Sequence, residues 1–317
     1  MSSPVLQAAC GLGTVVTAPD FAAAVPVHRG RFFGVPVRSR PIFTIFACMK
    51  LTFLGTGTSQ GVPVIGCRCK VCTSADRRDN RLRTSAMVEA CGVRMVIDAG
   101  PDFRCQMLRT GIRHLDAILL THEHKDHIGG LDDVLETFPA KTVIMPPVEH
   151  TTATFEDVLD AVAGQGLKIT KPVPGDTYDL GQSQFTVLGP VGDYADELND
   201  WSVGIRLTDG NHSFVMCGDA ETEAEEDMAR SGLNLSADVL KSGHHGSRTS
   251  SSPEFLEAVS PSWAVISCGK GNSYGHPHEE TLKKYAEHRI QVLRTDEKGT
   301  IIASSSPEGL TWTYTKK

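Results

Sequence analysis

The feature that most constrains this chain is the segment HEHKDH, residues 122–127, which holds three histidines and two carboxylates within six positions. His122 and His124 are two residues apart on a chain that leaves a predicted strand, so their side chains face the same way. Asp126 and His127 follow, where a double glycine begins to turn the chain. Imidazole and carboxylate groups suit zinc, manganese or iron. The spacing therefore predicts part of a metal centre and is poorly explained by a solvated polar loop.

A pair of metal ions needs ligands from elsewhere in the chain, preferably including one bridging carboxylate. Two later strand ends offer them. The segment FVMCGDAE places Asp219 after a predicted buried strand, although such a Gly-Asp pair would also suit a simple turn. The segment VLKSGHHGS places His244 and His245 in the same way. Because adjacent side chains diverge, one of these two histidines can bind metal while the other faces a substrate.

A second cluster consists of Cys67, Cys69 and Cys72 within residues 66–74. The chain has nine cysteines, an odd number that favours reduced thiols over a disulfide framework. Three thiolates need a fourth ligand to complete a tetrahedral zinc site, and His276 and His278 are candidate donors. The alternative is three reduced surface thiols. A zinc ion here would stabilise a loop and perform no chemistry.

Short apolar runs that end in glycine-rich or polar loops predict strands from Lys50 onwards. Helical patterns intervene at residues 101–111, 151–166, 220–232 and 278–288. Because the strands form hairpins in places and alternate with helices elsewhere, two mixed sheets with outer helices are expected in one domain, residues 49–317. Residues 1–48 contain four arginines, one acid and no periodicity. They predict a disordered extension, with an organellar presequence as the alternative.

The composition limits the classes of partner. The formal net charge of −7 weighs against non-specific binding of nucleic acids or membranes, although a metal centre creates a local positive site regardless. No apolar run approaches 18 residues, so no transmembrane helix is predicted. We expect a cytoplasmic protein.

The order His-x-His-x-Asp-His resembles the signature of the metallo-β-lactamase-fold hydrolases, and the resemblance covers roughly residues 49–303. It implies an α+β four-layer αββα sandwich, with two facing mixed sheets and outer helices. It also implies two divalent metal ions, zinc or manganese, at one edge of the sheets. Carried over position by position, the resemblance assigns His122 and His124 to the first metal, Asp126 and His127 to the second, Asp219 as the bridge, and His244 or His245 as the last ligand of the second metal.

Most members of that family supply another histidine between the signature and the bridging aspartate. This chain has none at the matching place, where the loop ELNDWSV, residues 197–203, stands instead. Asn199, Asp200 or a water molecule would then take the place of the missing ligand.

The two halves of the chain resemble different branches of the family. Residues 53–72 and 97–134 are similar to phosphodiesterases that cleave phosphoribosyl cyclic phosphate. Residues 238–282 and the LNDWSV loop are similar to the hydrolase domain of bacterial competence DNA-uptake proteins. Both resemblances imply phosphate-ester substrates: a small phosphorylated compound or nucleotide, with long nucleic acid disfavoured by the acidic charge.

The predicted reaction is hydrolysis of a phosphodiester by a metal-activated water. Asp126 and Asp219 would position metals and hydroxide, while His244 or His278 would stabilise charge or protonate the leaving oxygen. His278 precedes a predicted helix and could instead cap it. Two alternatives stay open: hydrolysis of a thioester or lactam by the same hydroxide, and a metal-binding module without catalysis.

Overall fold

A computed structural model describes residues 49–138, 140–148, 152–195 and 197–316. The predicted extension or presequence, residues 1–48, lies outside the described residues. The strands are β1 Met49–Gly55, β2 Ser85–Ala90, β3 Val93–Ile97, β4 Ala117–Leu119, β5 Thr142–Ile144, β6 Ile169–Thr170, β7 Thr177–Leu180, β8 Ser183–Val187, β9 Ile205–Asp209, β10 His212–Met216, β11 Val239–Lys241, β12 Trp263–Ile266, β13 Gln291–Arg294, β14 Ile301–Ser306 and β15 Gly309–Tyr314. The helices are α1 Phe103–Thr110, α2 Lys125–Ile128, α3 Leu131–Thr137, α4 Ala153–Gly164, α5 Thr222–Arg230, α6 Pro253–Val259, α7 Glu279–Glu287 and α8 Thr295–Lys298.

The first sheet contains strands from both ends of the described chain. Its order is β15-β14-β1-β2-β3-β4-β5-β6. The strands from β15 to β3 are antiparallel, and those from β3 to β6 are parallel. Met49 pairs with Ala90 on one side and with Ser305 on the other, so the first described strand is internal to the sheet.

The second sheet has the order β13-β12-β11-β10-β9-β8-β7. Its four strands from β10 to β13 are parallel, whereas β7, β8, β9 and β10 form antiparallel pairs. Both sheets are therefore mixed, as predicted from the alternation of hairpins with helical segments.

Three apolar clusters show how the layers stack. Alternate residues of both sheets, among them Phe53, Val88, Phe185 and Phe214, fill the space between the sheets. A second cluster joins α1, α3 and α4 to the outer face of the first sheet. A third joins α5, α6 and α7 to the outer face of the second. Burying a large apolar side chain contributes about 1.5 to 3 kcal/mol, so these interfaces hold the layers together. The predicted αββα sandwich is confirmed.

Each of the four predicted helices is present, with ends within three residues of the expected positions. Thr152 begins α4 by accepting a hydrogen bond from the backbone N–H of Phe155 at 3.3 Å through its hydroxyl. Among the described residues, none of the helices combines the length and the apolar character that a membrane span requires.

The parallel strands of both sheets position the polar residues considered next. A loop leaves the carboxyl end of each of β3, β4, β10, β11 and β12, and all five loops meet at one edge of the sandwich. These loops carry, in strand order, Asp98, residues 121–127, Asp219, His244 with His245, and Ser267.

Candidate metal centre

The HEHKDH segment links the end of β4 to the short helix α2. His122 is buried and His124 is more exposed, and Nε2 of the first lies 3.1 Å from Nδ1 of the second. Two nitrogen ligands on one tetrahedral ion, each at about 2.0 to 2.1 Å, are separated by roughly 3.3 Å. The two imidazoles are therefore spaced as a pair of ligands to a single ion.

His127 is buried and oriented by a carboxylate from the end of β3. Its Nδ1 lies 2.8 Å from Oδ2 of Asp98. Asp98 also accepts hydrogen bonds from the backbone N–H and the hydroxyl of Thr121, at 2.8 Å and 2.9 Å. With Nδ1 held by Asp98, Nε2 is the ring nitrogen that faces Asp126 and Asp219, whose nearest oxygens are each 3.6 Å away. This is the arrangement by which a carboxylate fixes a metal-binding histidine.

Asp219 lies at the centre of the group. Its Oδ2 is 3.6 Å from Nε2 of both His127 and His245, and its backbone N–H donates to the hydroxyl of Ser202 at 3.1 Å. The preceding Gly218 has φ of 55°, and a Cβ there would lie 2.7 Å from the side chain of Thr121. A glycine is therefore required for Asp219 to approach the HEHKDH segment.

The adjacent histidines His244 and His245 point in different directions. Both have positive φ values, 42° and 56°, in the tight turn Gly243–Gly246 that follows β11. Nδ1 of the buried His245 donates to the carbonyl of Ser267 at 2.9 Å, which leaves Nε2 to face Asp219. Nδ1 of His244 instead lies 2.9 Å from Oε1 of Glu221.

Three buried polar atoms of this group have no hydrogen-bond partner among the described residues. They are Nε2 of His127, Nε2 of His245 and Oδ1 of Asp219. Each buried group left unpaired costs about 1 to 3 kcal/mol. A divalent cation would satisfy all three at once, and nitrogen with carboxylate oxygen is a donor set that suits zinc and manganese. The residues present therefore fit the metal ions expected from the sequence.

The charges in the group reinforce one another. Burial would raise the pKa of the Asp219 carboxyl, but the charges of His245 and His127 outweigh it and hold the pKa well below its usual range. Burial likewise opposes the charge of His127, yet the charges of Asp98 and Asp219 raise its pKa well above the ordinary value. Burial, together with the charge of His127, lowers the pKa of His122. Asp219 is therefore a carboxylate over the whole physiological pH range.

Asp200 is not among the residues that converge with His122, His127 and Asp219, and its role as a substitute ligand stays a prediction. Its Oδ1 accepts a hydrogen bond from the backbone N–H of Glu221 at 2.7 Å, and the carboxylate serves the amino end of α5. The neighbouring Asn199 donates through its side chain to Oε1 of Glu221 at 3.2 Å. Asp200 and Asn199 thus both hold Glu221 in position, and Glu221 in turn binds His244.

The three thiols of the cysteine cluster also converge. The sulfur atoms of Cys67, Cys69 and Cys72 all lie within 4.8 Å of one another. No fourth histidine, cysteine or carboxylate of the described residues shares this space. His276 and His278, which the sequence suggested as donors to this cluster, do not lie beside it. Their rings instead contact the metal centre and its rim.

His276 connects the metal centre to the exposed rim. Its ring centroid lies 5.6 Å from that of His244, 6.4 Å from that of His245 and 4.8 Å from that of His278. Its Nδ1 is buried without a partner. Burial and the three neighbouring imidazoles lower the pKa of His276 to about 4, so the ring is neutral at physiological pH.

His278 precedes α7 but makes no side-chain cap to it. Its Nδ1 accepts a hydrogen bond from the backbone N–H of Arg248 at 3.0 Å. The capping role considered from the sequence is therefore wrong, whereas the predicted substrate contact stays a prediction.

Sequence reasoning missed Asp98 and Glu221, and it assigned His276 to the cysteine cluster instead of this site. Asp98 carried a signal, because it follows a buried strand in MVIDAG just as Asp219 does in FVMCGD. Glu221 and His276 carried none, since their positions depend on contacts between distant loops.

Comparison with known proteins places these features in context. The family model described as the metallo-beta-lactamase superfamily matches residues 79–270. ComE operon protein 3 of Bacillus subtilis (strain 168) is 38% identical over 191 residues, which are 60% of this chain and 25% of that protein. The chain thus spans about a quarter of the length of such curated relatives.

Solved structures show the same fold. The crystal structure of a new diphosphatase from the PhnP family aligns with a TM-score of 0.52 and 30% identity, covering 78% of this chain and 95% of its own. Zn(2+)-bound PqqB from Methylobacterium extorquens aligns with a TM-score of 0.55 and 20% identity, covering 77% and 97%. The matches to competence proteins and to the PhnP family confirm both resemblances drawn from the sequence.

Proposed function

The chain belongs to the metallo-beta-lactamase superfamily, and we propose that it is a metal-dependent phosphodiesterase. The observation that carries the proposal is the convergence of Nε2 of His127, Nε2 of His245 and the carboxylate of Asp219, three buried donors without other partners. The diphosphatase neighbour, at 30% identity over most of its length, supports phosphate esters as the substrate class.

His122 and His124 would hold one divalent ion, and Asp126, His127 and His245 a second, with Asp219 between them. Zinc and manganese both suit these donors. When bound, a metal pair supplies an acidified water and neutralises charge on the phosphoryl oxygens.

The remaining residues orient these donors and move a proton. Asp98 and the carbonyl of Ser267 fix which nitrogen each buried histidine presents. Burial would lower the pKa of His244, but the hydrogen bond to Glu221 and the charge of Asp219 outweigh it and raise the pKa. A half-buried imidazole whose protonated form is favoured in this way is suited to protonate the leaving oxygen of an ester.

The partners follow from the same features. A small phosphorylated substrate or nucleotide fits a chain with a net charge of −7 better than long nucleic acid does. Attraction to phosphate is then confined to the metal centre and its rim.

The test is hydrolysis of bis(p-nitrophenyl) phosphate by metal-free protein reloaded with zinc or manganese. Asp219→Ala serves as the blank. Asp209→Ala removes a buried carboxylate at the far end of β9 and controls for general destabilisation. We expect turnover that requires metal, persists in the Asp209 variant and is lost in the Asp219 variant, together with about two metal equivalents per wild-type chain.

Absence of turnover with either metal, or equal turnover in the Asp219 variant, would contradict the proposal. Metal content measured on the same samples shows whether a failure lies in metal binding or in the chemistry.

A further inference from the structure

The strand β15 lies at one edge of the first sheet. On one side it pairs with β14 in an unbroken antiparallel register, which joins Gly309 to Ser306 and Tyr314 to Ile301. Among the residues that the structure describes, no strand pairs with its other side. The unpaired N–H and C=O groups of such an edge form a template on which another strand can be added.

The register shows which backbone groups face outwards. The backbone N–H of Thr315 donates to the carbonyl of Thr300 at 3.1 Å, so these two residues form a hydrogen-bonded pair of the ladder. Hydrogen-bonded and non-hydrogen-bonded pairs alternate along an antiparallel ladder. The N–H and C=O groups of Leu310, Trp312 and Tyr314 therefore point away from β14, towards the open edge.

The other edges of the two sheets carry features that resist pairing. The edge strand β7 contains the exposed Asp179, and β13 ends on the charged Arg294. The edge strand β6 has two residues, with a lysine on either side. Short length and charged side chains both discourage edge-to-edge association. By contrast, β15 has six residues and contains neither a charged side chain nor a proline.

The sequence of β15 complements itself when a second copy is placed antiparallel to it. With Trp312 opposite Trp312, Leu310 of one copy lies opposite Tyr314 of the other, and Thr311 lies opposite Thr313. The three apolar side chains are partly buried against the core between the sheets, whereas the two threonines are exposed on the other face. Apolar side chains then face apolar side chains and hydroxyls face hydroxyls, which are pairs that stabilise adjacent strands.

The outward-facing backbone groups are in phase with this alignment. Because Leu310, Trp312 and Tyr314 all face the open edge, each N–H of one copy meets a C=O of the other, for about six hydrogen bonds in all. A shift by one residue would place outward-facing groups opposite groups that already bond to β14. The backbone therefore selects the same register as the side chains.

Charges at the two ends of the strand agree with an antiparallel second copy. Glu308 is exposed directly before β15. Nζ of Lys298 lies 5.5 Å from the ring centroid of Tyr314, at the opposite end of the strand. Antiparallel pairing brings Glu308 of each copy to the end at which Lys298 of the other copy lies. Such exposed charges add little affinity, but they favour one orientation of the partner over the other.

We propose that two copies of this chain associate through β15, about a two-fold axis at Trp312, so that their first sheets form one continuous sheet. The interface lies on the strand edge and makes no use of the metal centre.

The test measures the association of the full chain by sedimentation velocity between about 1 and 100 µM. Thr311→Lys combined with Thr313→Lys puts lysine opposite lysine on both sides of the axis. Thr311→Lys combined with Thr313→Glu changes the same two exposed positions but puts lysine opposite glutamate. We expect a dimer in the wild type, about tenfold weaker association in the double-lysine variant, and association at least as tight as wild type in the lysine–glutamate variant.

A mixing experiment separates repulsion at the interface from damage to the strand. Thr311→Glu combined with Thr313→Glu should also associate weakly by itself. An equimolar mixture of the double-lysine and double-glutamate variants should restore a dimer, because each lysine then lies opposite a glutamate.

Hydrogen exchange followed by NMR locates the contact. The N–H groups of Leu310, Trp312 and Tyr314 should exchange more slowly as the protein concentration rises. A wild-type chain that stays monomeric throughout this range would overturn the proposal. So would a dimer that responds equally to both double variants, or protection of these three N–H groups that is independent of concentration, as pairing of β15 with residues 1–48 of the same chain would give.

Discussion

Oδ2 of Asp98 lies 2.8 Å from Nδ1 of His127, and this bond determines which ring nitrogen of His127 faces Asp219. The two residues are 29 positions apart: Asp98 directly follows β3, and His127 lies in α2, beyond the end of the neighbouring parallel strand β4. Asp98 itself has φ of 65°, a strained conformation for a residue with a side chain, which two hydrogen bonds from Thr121 stabilise. The first sheet thus fixes the chemistry of a ligand that belongs to the loop above it.

Replacing Asp98 with asparagine should weaken metal binding about 10- to 100-fold, because an amide does not hold His127 in one tautomer. Competition between the protein and a chromogenic chelator measures the affinity. Asp116→Asn is the control: Asp116 is also buried at the end of a strand of the first sheet, but it accepts from Arg94 and Lys141 far from the site. Equal losses of affinity in the two variants would contradict the positioning role.

Lys241 should position two ligand-bearing turns. Its ammonium donates to the carbonyls of Gly218 and Ser242, each at 3.3 Å, directly before the turns that deliver Asp219 and His245. Lys241→Met removes the side-chain donor from both carbonyls, and Gly218 then keeps only the backbone N–H of His244 at 3.3 Å. The loss should cost about 1 to 3 kcal/mol of unfolding free energy. Denaturant unfolding measures this cost, and the chelator assay should show weaker metal binding as well.

The control for that variant is Lys283→Met, which removes an exposed lysine whose partner Glu287 is also exposed and should cost at most about 1 kcal/mol. A Lys241 variant with wild-type stability and wild-type metal affinity would show that the two turns hold their places without it.

Glu225 should make stability depend on pH. Its carboxylate is buried and accepts from the backbone N–H groups of Ser251 and Ser252; burial outweighs these donors and raises the pKa to about 8, from 4.5. Between these values the folded state retains a proton that the unfolded chain loses, so the contribution of Glu225 to stability is complete below about pH 4.5 and is lost as the pH rises towards 8. The slope is at most about 1.4 kcal/mol per pH unit.

Denaturant unfolding of metal-free protein at about pH 5, 6, 7 and 8 measures this slope. Glu225→Gln should make the fall shallower, whereas Glu226→Gln, at a partly exposed position of α5, should leave it unchanged. Parallel curves for the wild type and Glu225→Gln would rule out the assignment.

Cys69 should react faster than Cys72 in the cysteine cluster. The backbone N–H of Cys72 donates to its sulfur at 3.4 Å and, with the neighbouring thiols, lowers the pKa of Cys69 to about 7. For Cys72, burial and the neighbouring thiols outweigh the N–H of Val64, and its pKa is raised. Because the thiolate is the nucleophile, iodoacetamide at about pH 7 should modify Cys69 roughly several-fold faster than Cys72. Mass spectrometry of the modified peptides measures the two rates.

Added zinc should protect all three cysteines together if they share an ion, and Cys69→Ser should then lose one metal equivalent. Protection of Cys69 alone would speak against a shared ion.

The fold and most of the metal centre could be predicted because the relevant signals are local. A buried strand followed by glycine and a polar residue locates Asp219 and the pair His244–His245, and the spacing of the HEHKDH segment locates its own ligands. The parallel pairing of β3 with β4 and of β10 with β11 brings these segments together. The alternation of strands and helices along the sequence already indicated such pairing.

The parts that could not be predicted depend on packing between loops. Asp200 stands in the sequence where a ligand was expected, yet its Oδ1 accepts the backbone N–H of Glu221 at the amino end of α5. This contact depends on where the fold places Glu221. His276 stood too far along the chain to be assigned to the metal centre, and only the contact of its ring with His245 reveals that it belongs there.

The pairing of β1 with β14 has a consequence for how the protein folds. Met49 and Ser305 are neighbours in the sheet although more than two hundred and fifty residues separate them, so the closing contact has one of the longest loops in the chain. The second sheet can assemble from contiguous segments, whereas β1 keeps an open hydrogen-bonding edge until the final hairpin arrives. A chain emerging from the ribosome therefore carries an unpaired edge, available to other strands, from the appearance of β1 until that of β14.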